Sequence, residues 1–128
     1  MSTVLPIASV EQYKAALLTL RDKGIPTSHL AMLRAQGRAP GTAITATQLA
    51  EAAGYESYHA ANLQYGTLAY KLAGVLGFTP QLKHADGSLC WWTTLSVAGD
   101  GPSDDNAQHF HFLMRPELAQ ALRAMRWA

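Results

Sequence analysis

The chain has 128 residues, of which 48% are hydrophobic, 15% charged and 9% aromatic, and ten Lys and Arg against nine Asp and Glu leave a formal net charge of +1. This is the length of one domain, commonly about 100–150 residues, and the apolar content excludes a wholly disordered chain. The near-zero net charge excludes a strongly basic nucleic-acid coat and an acidic solvating tail.

Val10, Tyr13, Ala16, Leu17 and Leu20 recur at helical spacing, with Ser9 placed to cap the helix and Gly24 to stop it. Ile25-Pro26-Thr27 breaks the chain. A second helix on Leu30, Met32 and Leu33 ends near Gly37 and gives way to a loop at Arg38-Ala39-Pro40-Gly41. Thr45 stands three residues before Gln48. That is the spacing of a capping box, in which hydroxyl and amide satisfy orphan N–H groups at a helix start. Leu49, Ala50 and Ala53 form the apolar stripe of this short helix, and Gly54 suits its left-handed cap. After the turn Gly54-Tyr55-Glu56-Ser57, Ser57 caps a longer helix. Its buried stripe is Ala61, Leu68, Leu72, Val75 and Leu76, and Gly77 ends it. Short helix, glycine turn, longer helix is the spacing of a helix-turn-helix, although a plain helical hairpin has the same outline.

After Pro80 the period changes. Leu89 to Val97 is rich in β-branched and aromatic residues and reads as a strand, Gly99 to Asn106 as a loop. His109-Phe110-His111-Phe112-Leu113-Met114 is the returning strand, with phenylalanines on one side and histidines on the other. Adjacent Trp91 and Trp92 then point to opposite faces, one filling the core and the other lying at least partly exposed, as a lid or a stacking surface. Pro116 suits the first turn of a last helix on Leu118, Leu122 and Met125. The expected architecture is one domain over 1–128, mainly α with a small antiparallel β-hairpin (α+β). Its helical part covers 9–77, its hairpin 89–114 and its C-terminal helix 116–126. A helix-turn-helix followed by a hairpin is the outline of a winged helix, here with extra N- and C-terminal helices. One core is expected to join Ala61, Leu68, Leu72, one of the two tryptophans, Phe110, Phe112 and Leu122.

The run Ile44-Thr45-Ala46-Thr47-Gln48-Leu49-Ala50-Glu51-Ala52-Ala53-Gly54-Tyr55, with Tyr58-His59-Ala60-Ala61-Asn62-Leu63-Gln64-Tyr65-Gly66-Thr67-Leu68-Ala69 after it, resembles a bacterial domain found before HNH nuclease domains in restriction-type proteins directed at modified DNA. The ending Phe112-Leu113-Met114-Arg115-Pro116-Glu117-Leu118-Ala119-Gln120-Ala121-Leu122 resembles the close of the same domain. The likeness runs from about His29 to Trp127. It implies a winged-helix-like reader of double-stranded DNA, sensing modified (5-methyl) cytosine in a restriction system, with cutting left to a nuclease partner. No nuclease motif follows within the 128 residues, as in a stand-alone reader or an excised domain.

A recognition helix presents its first turns to the major groove, where base edges offer distinct donor and acceptor patterns. On the helix from Tyr58, the face opposite the Leu68–Leu72 stripe carries Tyr58, His59, Asn62 and Tyr65, with Gln64 beside them. Asn62 suits a bidentate bond to an adenine edge, His59 and Ser57 a base or phosphate, and Tyr58 the methyl group of a thymine or methylated cytosine. The competing reading makes Asn62 and His59 ordinary exposed polar residues and the tyrosines half-buried core. Charge weighs against tight binding, because phosphate neutralisation by Lys and Arg supplies most non-specific affinity. Ser57 to Tyr70 contains no basic residue; Arg34, Arg38, Lys71 and Lys83 lie outside, and Asp100, Asp104 and Asp105 in the expected wing tip repel a phosphate backbone. Recognition must then lean on helix N-termini, hydroxyls and apolar fit.

His109 and His111, with Cys90 on the facing strand, offer at most three metal ligands, so neither a metal nor another cofactor is expected. A glycine-flanked serine elbow, a phosphate loop and paired helical carboxylates are all lacking, which reads as no enzyme. The rival function is a protein-interaction adaptor using the same helices and hairpin, favoured by the near-neutral charge. One cysteine, no apolar run of about 18–20 residues and no basic, apolar leader at Met1 to Pro6 point to a cytoplasmic protein that does not engage a membrane.

Overall fold

A computed structural model describes residues 6–99 and 110–128. Among these, the elements run α1 (Val10–Lys23), α2 (Thr27–Arg38), β1 (Ala43–Thr45), α3 (Ala46–Ala53), α4 (Tyr58–Leu76), β2 (Ser96–Ala98), β3 (His111–Met114) and α5 (Pro116–Ala124). The protein is mainly helical with a small antiparallel sheet, an α+β fold. No helix among the described residues is long and apolar enough to cross a membrane.

Helix starts follow local chemistry. Thr45 Oγ1 accepts from the Gln48 N–H at 3.2 Å, and Gln48 Oε1 accepts from the Thr45 N–H at 2.9 Å. Ser9 and Gln12 build the same reciprocal pair at α1. Between α3 and α4 the chain turns on Gly54, whose φ of 80° and ψ of 23° are left-handed; its N–H bonds the Ala50 carbonyl at 2.9 Å. A side chain there would meet the Cβ–carbonyl repulsion that glycine escapes. Thr45→Ala should cost about 1 kcal/mol in a urea titration, the usual worth of such a cap. An unchanged midpoint would mean that the pairing of β1 alone holds the start of α3.

The sheet differs from the expected hairpin. Its order is β1-β3-β2, with β3 central and antiparallel to both neighbours, so Phe112 is flanked by Ile44 and Ala98. Strand β1 lies where the sequence shows only the end of a loop. Three residues are too few to display a period of two, and their strand conformation is set by pairing with β3. The strand expected from Leu89 to Val97 is also corrected. Trp91–Thr94 form a 3₁₀ turn, and extended pairing starts at Ser96. Both tryptophans are half-buried rather than divided between two faces. Long-range bonds favour the turn over β propensity. Tyr13 Oη donates to the Thr94 carbonyl at 2.8 Å and Arg115 Nε to the Thr93 carbonyl at 2.7 Å, satisfying acceptors the turn leaves open. Burial lowers the Arg115 pKa from its ordinary value, an effect opposed by Tyr13 and Glu117.

One cluster of buried side chains joins α1, α2, α3, α4, the sheet and α5. Ala61, Leu68, Leu72, Phe112 and Leu122 lie in it, and Trp91, Trp92 and Phe110 pack against it half-buried. Val75 and Leu76, read as part of the α4 stripe, are likewise only half-buried. The positions expected at the wing tip, Asp100, Asp104 and Asp105, and the strand residue His109 lie outside the described residues.

Candidate nucleic-acid interface

The 19 residues of α4 carry three different surfaces. Ala61, Tyr65, Leu68, Ala69, Leu72 and Ala73 are buried. At 3.6 residues per turn, His59, Asn62, Leu63, Gly66 and Tyr70 fall along one flank. Lys71 emerges, exposed, on the other flank.

At the helix start, Ser57 Oγ accepts from the Ala60 N–H at 3.2 Å. The N–H groups of Tyr58 and His59 have no acceptor within the helix, so this end carries partial positive charge. The Tyr58 and His59 rings stack with centroids 4.0 Å apart and planes tilted by 32°. Tyr58 is half-buried against the core, whereas His59 is exposed. Asn62 is half-buried, and its carboxamide has no hydrogen-bond partner among the described residues. Ser57, Tyr58, His59 and Asn62 therefore do share the N-terminal turns of α4.

Two members of the expected set do not stand on that face. Tyr65 is completely buried: its hydroxyl lies 2.6 Å from both Gln36 Oε1 and Ser96 Oγ. Burial pushes its phenol pKa well above the ordinary tyrosine value, partly offset by its side-chain hydrogen bonds with Ser96 and Gln36. Gln36 Nε2 extends the network to Ser96 Oγ at 2.9 Å and to the Phe112 carbonyl at 3.1 Å. Tyr65 is thus a structural bond between α4, α2 and the sheet, and its reading as a DNA contact is withdrawn. Gln64 is half-buried, with Oε1 2.8 Å from Nε2 of the buried His29. That acceptor is occupied, which leaves its NH₂ as the group able to reach outward.

The cations are dispersed. Arg34 and Arg38 lie four residues apart on α2, on the side away from its buried His29, Met32, Leu33 and Gln36. Arg34 Nε donates to the Trp127 carbonyl at 3.1 Å, which ties it to the C-terminal segment. Arg38 is exposed. Among the described residues no group of three or more His, Cys, Asp or Glu converges as a metal site. Cys90 is buried, and burial raises its thiol pKa.

Sequence reading overlooked a cleft of about 910 Å³ beside these turns of α4. It runs along the Asn62–Tyr70 flank of α4 and is closed by residues of 84–92 and by Phe110. The signal for it was present. Leu63 and Tyr70 are apolar residues off the buried stripe, and they are 69% and 57% exposed. Compared with known proteins, the chain matches no family model, no curated protein and no solved structure.

Proposed function

We propose that the protein is a winged-helix-like reader of double-stranded DNA that docks the N-terminal turns of α4 in the major groove and senses a modified (5-methyl) cytosine. The observation that carries this reading is the free polar chemistry at the start of α4. Two backbone N–H groups with no acceptor in the helix, the exposed His59 and an Asn62 carboxamide unpartnered among the described residues occupy the part of a recognition helix that meets base edges. Further support comes from the sheet order β1-β3-β2, with β1 running directly into α3, which suits a winged helix. The likeness of segments 44–55 and 58–69 to the domain preceding HNH nucleases points the same way and suggests a nuclease as partner.

Energetically such a reader depends on fit more than charge. Without a basic residue from Ser57 to Tyr70, few phosphates are neutralised, so the salt dependence of binding should be shallow. The test is a titration with duplexes differing only in cytosine methylation, at low and moderate salt. Asn62→Ala should weaken the preferred duplex by roughly 1–3 kcal/mol, the worth of a bidentate base contact, and leave non-specific binding nearly untouched. Arg38→Ala should act oppositely, lowering affinity for every duplex and flattening the salt slope. The exposed Leu63 and Tyr70 favour a second reading, a protein-interaction adaptor. It takes over if the folded protein binds no duplex, methylated or unmethylated, even at low salt.

A further inference from the structure

The cleft beside α4 has a definite chemical character. Its volume of about 910 Å³ lies within the roughly 300–1,000 Å³ usual for small-molecule sites. Six of its lining residues are Phe, Trp or Tyr, among them Tyr70, Trp91, Trp92 and Phe110. These four are set in two near-perpendicular pairs, Tyr70 with Trp91 at 4.8 Å and 87°, and Trp92 with Phe110 at 5.5 Å and 73°. Gly66 also lines the cleft, and a Cβ built there would meet nothing within 4 Å. The helix backbone is therefore open to close approach. None of the described lining residues is Asp, Glu, Lys or Arg, so among them His84 is the one side chain able to set positive charge against an ionic ligand. Its polar lining side chains include Asn62 and Thr67 from α4 and His84 and Ser88 from the 84–92 segment.

Aromatic walls select a flat ring with a π-face, and the scarcity of ionisable groups among the described lining residues favours a neutral one. The unpartnered Asn62 carboxamide offers a donor and an acceptor side by side, matching a ring edge that carries the complementary pair. We propose that this cleft receives a single nucleobase, stacked among Tyr70, Trp91 and Trp92, whose edge Asn62 reads in place of a base still stacked in the groove. The inference deepens the reading of the protein as a DNA reader and rests on it for one source of the base, extrusion from bound duplex. A free nucleoside is the other source. Extrusion costs the unpairing and unstacking of the target, and that cost is smallest for a mismatched base.

The test uses the full chain carrying Trp127→Phe, so that tryptophan fluorescence reports Trp91 and Trp92. One arm titrates the four 2′-deoxynucleosides and 5-methyl-2′-deoxycytidine. The other titrates duplexes in which one 5-methylcytosine is either paired or mismatched. Gly66→Leu fills the open space over the helix, and Tyr70→Ala removes a wall that is 57% exposed and so leaves the fold intact even if the leucine variant does not fold. Saturable fluorescence change with a nucleoside, weakened tenfold or more in either variant, supports the free source. A duplex bound several-fold more tightly when mismatched, with that gain lost in either variant, supports extrusion. If duplexes bind but mismatch and both variants change nothing, and no nucleoside binds, the cleft inference is overturned while the DNA reading stands. Nucleoside binding without any duplex binding has the reverse meaning. Binding of neither removes both.

Discussion

Replacing Leu72 with Ala should destabilise the protein by roughly 2–5 kcal/mol, the range for a buried leucine whose removal leaves a partly relaxed cavity. Leu72 has no exposed surface and belongs to the cluster that joins α4 to the other helices and the sheet. Its neighbours are held by several elements, so collapse around the void is limited and the cost belongs in the upper half of that range. Urea denaturation at constant m-value measures it. A loss below about half a kcal/mol, the size typical of surface substitutions, would place Leu72 outside the core.

Gln36→Leu should also destabilise the protein, for a different reason. Leucine is of similar size but cannot bond, so the Tyr65 hydroxyl loses one of its two partners and the Phe112 carbonyl loses its Gln36 donor. A buried polar group left wholly unpaired costs roughly 1–3 kcal/mol, and one that keeps a partner, as Tyr65 keeps Ser96, costs less. Tyr65→Phe breaks the network from the other side. Because both changes remove the same 2.6 Å bond, their effects should fall short of additive by about 0.5–3 kcal/mol in a double-mutant cycle. Strict additivity would mean that the two side chains are energetically independent despite their contact. The network also bears on function. It holds the middle of α4 against α2 and β2, so Tyr65→Phe should loosen the seating of the helix without touching its outer face.

Local signals in the chain were enough to locate the five α-helices of the described residues. Capping residues and glycine stops act within one or two turns, so Ser9, Thr45, Gln48, Gly54, Ser57 and Gly77 mark helix ends wherever the rest of the chain goes. The same locality made the polar start of α4 readable, because an N-cap and the two turns behind it depend only on nearby residues. Tertiary structure alone decided everything that joins residues distant in sequence. Strand β1 exists through its pairing with β3, nearly 70 residues further along, as in Ile44 opposite Phe112. The Trp91–Thr94 turn replaces a strand because Tyr13 and Arg115 supply donors to its carbonyls. Tyr65 reads as a surface residue until Gln36 and Ser96, 29 and 31 positions away, are seen to bond it, and Gln64 looks free until His29 reaches it. The cleft is of the same kind, since Asn62, Tyr70 and Trp91 line one space only after α4 and the 84–92 segment have packed together. Side-chain periodicity reports which face of a helix is apolar. What covers that face is settled by contacts whose entropy cost is met only in the assembled fold.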